Sequence, residues 1–294
     1  MTAVSLMFGT ATYAAGLSGT IDIDGSSTVF PLTEAVAEEF LKTNKDVRVP
    51  VGVSGTGGGF KRFCAGETAI SNASRPIKAS EKKACKEKGI SYLEFTVAYD
   101  GLSVLVNKSN TFVDKLTVAE LNAIFKPDST VKTWKDVRSS WPNETIKIYS
   151  PGADSGTFDY FTEVINGKAQ ASRNDKQITF SEDDNTLVSG ISGDKNAIGY
   201  FGYSYYVENK DKLKVVPIDG GKGAITPNAK TIANGTYAPL SRPLFIYVQK
   251  KAMSRPEVKA YVKFYLQNAS KLSTEIGFIP LSSNWYKTQL KRIK

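Results

Sequence analysis

Short runs of β-forming residues alternate along this chain with segments whose apolar positions recur every three to four residues. Thr20–Asp24 reads TIDID and predicts a strand that ends in the turn Gly25-Ser26-Ser27-Thr28. Beyond it, Leu32, Val36 and Phe40 fall at i, i+4 and i+8, one face of a helix that Pro31 suits as a first-turn residue. Val47–Val53 predicts a second strand, the loop Ser54-Gly55-Thr56-Gly57-Gly58-Gly59 follows, and Phe60, Phe63 and Cys64 open the next helix. Ala69–Ala73 reads as a strand and Glu81–Lys88 as a charged surface helix. This β-α-β-α order predicts an α/β fold with a mostly parallel sheet covered by helices.

Farther along, strands are expected at Tyr92–Val97, Leu102–Val106 and Ile146–Tyr149, with helical patterns at Val118–Phe125 and Trp134–Val137. The loop Pro151–Thr157 precedes a helix lined by Phe158, Phe161 and Ile165. A helix over Glu182–Ile191, a strand over Ala197–Tyr200, a Gly- and Pro-rich stretch at Gly220–Pro227, a strand at Leu244–Val248 and a helix at Pro256–Asn268 complete the reading. The aromatics of Tyr200–Tyr206 (YFGYSYY) stand at near-alternating spacing, which suggests sheet packing rather than a stacking platform. No repeat at a solenoid period is visible.

Met1–Ala15 is apolar and small, like the core and cleavage site of an export signal, although it lacks a positively charged start. The alternative is a buried first strand or helix. No later stretch reaches the ~20 apolar residues that a membrane-spanning helix needs, so an exported, soluble chain is expected. Cys64 and Cys85, the only two cysteines, then predict one disulfide closing a loop of about 20 residues, against the alternative of two free buried thiols. No cysteine stands near the expected cleavage site to carry a lipid.

Composition narrows the chemistry. A length of 294 residues suits two domains. There is no histidine, which removes Ser-His-Asp and Cys-His nucleophiles, imidazole proton shuttles and His-ligated zinc. Two cysteines do not make a four-thiolate metal site, and neither metal nor cofactor is expected. The net charge of +9 favours an anionic partner or surface. Basic residues are not interleaved with aromatics as a nucleic-acid groove requires, so nucleic acid is not the expected partner.

Ser26-Ser27-Thr28, Ser54-Gly55-Thr56-Gly57 and Asp154-Ser155-Gly156-Thr157 all lie between a predicted strand and a predicted helix. A helix start presents unpaired N–H groups and partial positive charge, hydroxyls add donors, and glycine lets the backbone approach a ligand. Any one such turn is an ordinary helix cap. Three of them suggest a site for an oxyanion that needs no catalytic group. No Gly-x-x-x-x-Gly-Lys-Ser/Thr sequence is present, and Gly55–Gly59 lacks the acidic partner of a dinucleotide fold.

At these residues the chain resembles a known family. Asp24-Gly-Ser-Ser-Thr-Val-Phe-Pro31, Ser54-Gly-Thr-Gly-Gly-Gly-Phe60, Ala73-Ser-Arg-Pro-Ile77, Tyr99-Asp-Gly-Leu102 and Asp154-Ser-Gly-Thr-Phe-Asp-Tyr-Phe161 are similar, in order, to the blocks of the phosphate-binding protein of phosphate ABC transporters, the PstS type. The resemblance runs from about Gly19 to the C-terminal end. It implies a two-lobed periplasmic binding protein of type II, each lobe a mixed sheet flanked by helices, with the ligand in the interlobe cleft. The protein would bind inorganic phosphate in the periplasm, unchanged, as a monomer, and hand it to a membrane permease. By position, the first turn contributes Ser27, Thr28 and the N–H of Val29, the second Ser54 or Thr56, and the last Ser155, Gly156 and Thr157.

Two departures from the family pattern stand out. Arg75 occupies the place of an aspartate, and Pro151 that of an arginine just ahead of the Ser-Gly-Thr block. The simplest reading brings the guanidinium from the first lobe through Arg75, a surface salt bridge being the alternative. A carboxylate that accepts the proton of hydrogen phosphate would disfavour sulfate; Asp100 is the leading candidate and Asp154 the second, unless Asp154 caps its helix or pairs with Arg75. Strands near Thr96–Val104 and Arg242–Val248 are the expected crossovers. The expected division is 1–17 for the leader, 18–100 with 243–294 for the first lobe, and 101–242 for the second. Competing readings are a receptor for sulfate, molybdate or another oxyanion, an exported phosphatase with Ser155 or Thr56 as nucleophile, and an adhesion protein that keeps the fold without a ligand.

Overall fold

The computed structural model describes residues 16–293; the Met1–Ala15 segment, read above as an export signal, lies outside the described residues. A sheet of nine strands runs through the molecule in the order Val51–Gly52, Ile23–Gly25, Ile70–Ala73, Ser241–Gln249, Tyr92–Asn107, Ala197–Gly202, Lys147–Pro151 and Ile178–Ser181, with Leu213–Val215 also paired to Tyr92–Asn107. Pairing is parallel at both ends and antiparallel around the two longest strands, so the sheet is mixed rather than mostly parallel.

The strand Tyr92–Asn107 joins the two halves. Its first part pairs with Ser241–Gln249 and its second, from Leu102, with Ala197–Gly202. The sequence suggested two strands broken at Ala98–Gly101, but Gly101 marks a close approach instead. A Cβ there would lie 2.5 Å from the Ile232 side chain, so a small residue is required while the strand continues. Conversely, the strand expected over Val47–Val53 is split into Val47–Arg48 and Val51–Gly52 around Pro50, which has no N–H to give to a ladder.

Two pairs of hydrophobic clusters fill the two lobes. The buried residues of one pair come from Ile21–Ala98 and Leu244–Tyr286, and those of the other from Leu102–Leu240. The helix Phe30–Leu41, with Pro31 in its first turn, buries Leu32, Val36 and Phe40, and Phe40 meets Tyr261 and Phe264 of the helix Pro256–Glu275 edge-on. In the other lobe Phe161 stacks on Tyr200 with ring centroids 3.6 Å apart. Cys64 and Cys85 form the expected disulfide, tying Gly55–Ala65 to Ala79–Glu87.

The Tyr200–Tyr206 stretch departs from expectation. The strand stops at Gly202, and Tyr203–Glu208 is a helix with no buried residue. Tyr200 and Phe201 are buried in the sheet as expected, whereas Tyr203, Tyr205 and Tyr206 lie on the helix and do not pack in it. Among the described residues, no helix is long and apolar enough to cross a membrane.

Candidate functional site

All three strand-to-helix turns reach the space between the lobes. A cavity of about 400 Å³ is walled by Ser26–Thr28, Gly55–Gly57 and Ser74–Pro76 on one side and by Asp159, Tyr160 and Glu163 of the helix Gly156–Asn166 on the other. Arg242, from the return strand Ser241–Gln249, closes it. A second cavity of about 600 Å³ shares Ser27 and Thr28 as its wall and is lined by Asp100, Asp154, Ser155, Gly156 and Thr157. Ser27, Thr28, Thr56, Arg75, Asp100 and Asp154–Thr157 are thus brought to two adjoining chambers rather than to one.

Two expected residues stand off these walls. Val29 is fully buried, and its N–H donates to Ser26 Oγ at 3.4 Å. Ser54 is exposed, and its N–H donates to Asp24 Oδ1 at 3.0 Å. Burial pushes the Asp24 carboxyl up, but hydrogen bonds from Arg62 and from Ser54 outweigh it and hold the group below the usual aspartate range. Asp24 thereby anchors Ser54, the residue just before the helix Gly55–Ala65; the loop expected over Ser54–Gly59 is helical from Gly55, and Thr56 stands in the first turn. The Thr56 hydroxyl oxygen accepts the Ser74 N–H at 3.2 Å and lies 3.1 Å from Ser74 Oγ.

At the third turn, Ser155 caps its helix by accepting the Thr157 N–H at 3.2 Å. Asp154 is neither the cap nor the partner of Arg75; its backbone N–H donates to Glu182 Oε1 at 3.2 Å. Arg75 instead forms a two-pronged pair with Glu81, at 2.9 and 2.8 Å, and lies 5.7 Å above the Phe60 ring. Burial raises Glu81, but the Arg75 hydrogen bonds and the Lys78 N–H bring its carboxyl below the ordinary range.

Sequence reasoning missed the guanidinium at the centre. Arg242 Nη2 donates to Thr28 Oγ1 at 2.7 Å, and its Nε lies 3.3 Å from Asp100 Oδ2. Its guanidinium stacks 3.6 Å above the centroid of Tyr160, whose hydroxyl donates to Pro239 O at 2.6 Å. Burial raises the Asp100 carboxyl above the usual aspartate range, and Arg242 offsets this only in part. Arg242 lies at the end of an expected crossover strand, yet no local motif marks it; its pairing with Asp100 spans 142 positions. Asp159 was also missed. It lines the first cavity with its Oδ1 buried and without a hydrogen-bond partner.

The lobes meet at this point. Thr28 Oγ1 donates to Gly156 O at 3.5 Å, and a Cβ on Gly156 would lie 2.8 Å from Thr28 Oγ1 and 3.0 Å from its backbone. Hydroxyls, helix starts and a half-buried guanidinium, with carboxylates beside them, make a cleft suited to a small oxyanion carrying a proton. Among the described residues, no cluster of three or more Asp, Glu, Cys or His is arranged to hold a metal ion.

A continuous strand joining two lobes, with the candidate site at the cleft between them, defines a trap-type binding protein. The description of the PBP superfamily domain matches residues 10–269. Protein SphX of Synechococcus elongatus is 54% identical over 277 residues, covering 93% of this chain and 81% of its own length. The phosphate-binding protein PstS of Staphylococcus epidermidis is 44% identical over 280 residues, covering 95% of this chain and 84% of its own. The crystal structure of a possible phosphate binding protein from Planctomyces limnophilus superposes with a TM-score of 0.91 at 50% identity, covering 95% of this chain and 98% of that one. The chain belongs to the PBP superfamily and, within it, to the family of the PstS proteins.

Proposed function

We propose that this protein is a receptor for inorganic phosphate, acting as a monomer in the periplasm and delivering the ion unchanged to the permease of an ABC transporter. The observation that carries this reading is the meeting, at one cleft, of Thr28 from one lobe, the Ser155–Thr157 helix start from the other and Arg242 from the strand between them. Ser27, Thr28, Thr56, Ser155, Gly156 and Thr157 supply hydroxyl and backbone donors. Arg75, Asp100 and Asp154 border the same space. The family relationship supports the choice of ligand and of a permease as partner.

Binding rather than turnover follows from what surrounds the hydroxyls. Thr56 is tied to Ser74 and Ser155 caps its helix. With no histidine in the chain, neither has a neighbouring imidazole to take its proton. Sulfate is disfavoured because Asp159 and Glu163 face the first cavity and a fully ionised anion brings them no proton.

Isothermal titration at fixed pH with phosphate, arsenate and sulfate tests the proposal. One phosphate should bind per chain, sulfate should bind more weakly, and phosphate should be recovered intact. Absence of phosphate binding, or steady hydrolysis of a phosphomonoester, overturns it.

A further inference from the structure

Two guanidiniums reach the first cavity, and their surroundings differ. Both Nη atoms of Arg75 are held by Glu81, and Glu81 is itself fixed by the Lys78 N–H at 2.7 Å. That carboxylate already occupies the fork with which Arg75 would grip an oxyanion. Arg242 is held in another way. Only its Nε faces Asp100, at 3.3 Å, while Nη2 reaches Thr28 and the flat face lies on Tyr160. Face-on stacking fixes the plane of a guanidinium and leaves its N–H edge for ligands.

We propose that Arg242, rather than Arg75, carries the positive charge to the bound anion, and that Asp100 is the positioning residue that aims it. The assignment rests on the receptor reading above. Asp100 and Arg242 are register partners on the two strands that cross between the lobes, so the pair forms on the joint itself. Arg242 thus sits on the joint, touches Thr28 in one lobe and stacks on Tyr160 in the helix whose first turn is Gly156-Thr157. An anion at Arg242 therefore meets donors of both lobes at once. Asp100 is 4% exposed, so its hold on the Arg242 Nε is largely shielded from solvent.

Calorimetric titration of phosphate and sulfate into wild type, Arg242→Met, Arg242→Lys, Arg75→Met, Asp100→Asn and Asp100→Asn/Arg242→Met tests the assignment, with thermal melts to establish folding. Loss of a charge-assisted fork should weaken phosphate binding about 100-fold in Arg242→Met and about tenfold in Arg242→Lys. Arg75→Met should weaken phosphate binding less than either Arg242 variant, because Glu81 already takes up the Arg75 fork. Asp100→Asn should weaken both anions by about tenfold alone and add nothing in the double variant, since it acts only through Arg242.

A larger loss in Arg75→Met than in either Arg242 variant overturns the assignment of the charge. Full additivity in the double variant overturns the positioning role. Should Arg242→Met not fold, the comparison of Arg242→Lys with Arg75→Met decides the first point, and the coupling of Asp100→Asn with Arg242→Lys decides the second. Wild-type protein that takes up sulfate but not phosphate refutes the phosphate reading alone, with the variants then read on sulfate; uptake of neither anion refutes both.

Discussion

Burying a carboxylate oxygen without a donor is costly, and Asp159 does so beside the cleft. A ligand that brings a proton removes that cost. Hydrogen phosphate carries one at neutral pH and sulfate does not, so the orphaned oxygen favours the first and repels the second. The sequence pointed to Asp100 for this task, but Asp100 turns to Arg242. Asp159→Asn should therefore lower the ratio of phosphate to sulfate affinity about tenfold or more, whereas Asp100→Asn should weaken both anions together. Competition titration of the two ions measures this, and a ratio that collapses only in Asp100→Asn returns the role to that residue.

Asp184, on the wall of the second cavity, gives a pH signature. Burial, then the charges of Asp183 and Glu182, push its carboxyl up from 3.8 to about 6. The folded protein holds that proton more tightly than the unfolded chain. The stability it lends is full below the ordinary aspartate value and is lost as pH rises through about 6. Asp184→Asn should stabilise the protein at pH 8 by about 1–2 kcal/mol, the side chain being only partly buried and at a helix start, and by almost nothing at pH 4. Thermal melts at the two pH values check this, and equal shifts at both refute the cause given.

At the scale of elements, the disulfide is the clearest case of sequence and structure agreeing, because pairing two cysteines needs only an even count and an oxidising compartment. It clamps the helix behind Gly55–Gly57 to the helix that carries Glu81. With a sequence separation of 21 between the partners, the loop-entropy relation puts its worth at about 3 kcal/mol. A Cys64→Ala/Cys85→Ala variant should lose about that much in urea unfolding and match the reduced wild type. A loss under about 1 kcal/mol would show that the two helices are held by packing alone.

The turns were legible for a related reason: a strand, a few small residues and a helix leave a local mark. Arg242 was not, since its meaning comes from strand register and from Tyr160 across the cleft. Asp159 and Tyr160 carry no local mark, because the periodicity of their helix shows in Phe158, Phe161 and Ile165, all of them buried. Tyr203–Glu208 departs from its pattern because alternating aromatics suit a strand, whereas the strand ends at Gly202 and the chain turns there into a short helix with no buried residue.

For the whole molecule, closure depends on how near Thr28 and Gly156 can come. These two residues bring the turn of one lobe against the helix start of the other, with no room for a side chain at position 156. Gly156→Ala keeps the backbone N–H that an anion would use, so its effect isolates the approach of the lobes from the loss of a donor. A methyl group placed 2.8–3.0 Å from Thr28 must push the lobes apart or displace the Ser26–Thr28 turn. Both routes separate Arg242 and Thr28 from the Ser155–Thr157 start, and a ligand shared between them loses part of its shell. Phosphate affinity should fall about tenfold or more, with a larger radius of gyration by solution scattering at saturating phosphate than wild type shows. Wild-type affinity and radius in Gly156→Ala would mean that the lobes need not touch here for the ion to be held, and that the cleft binds from one lobe alone.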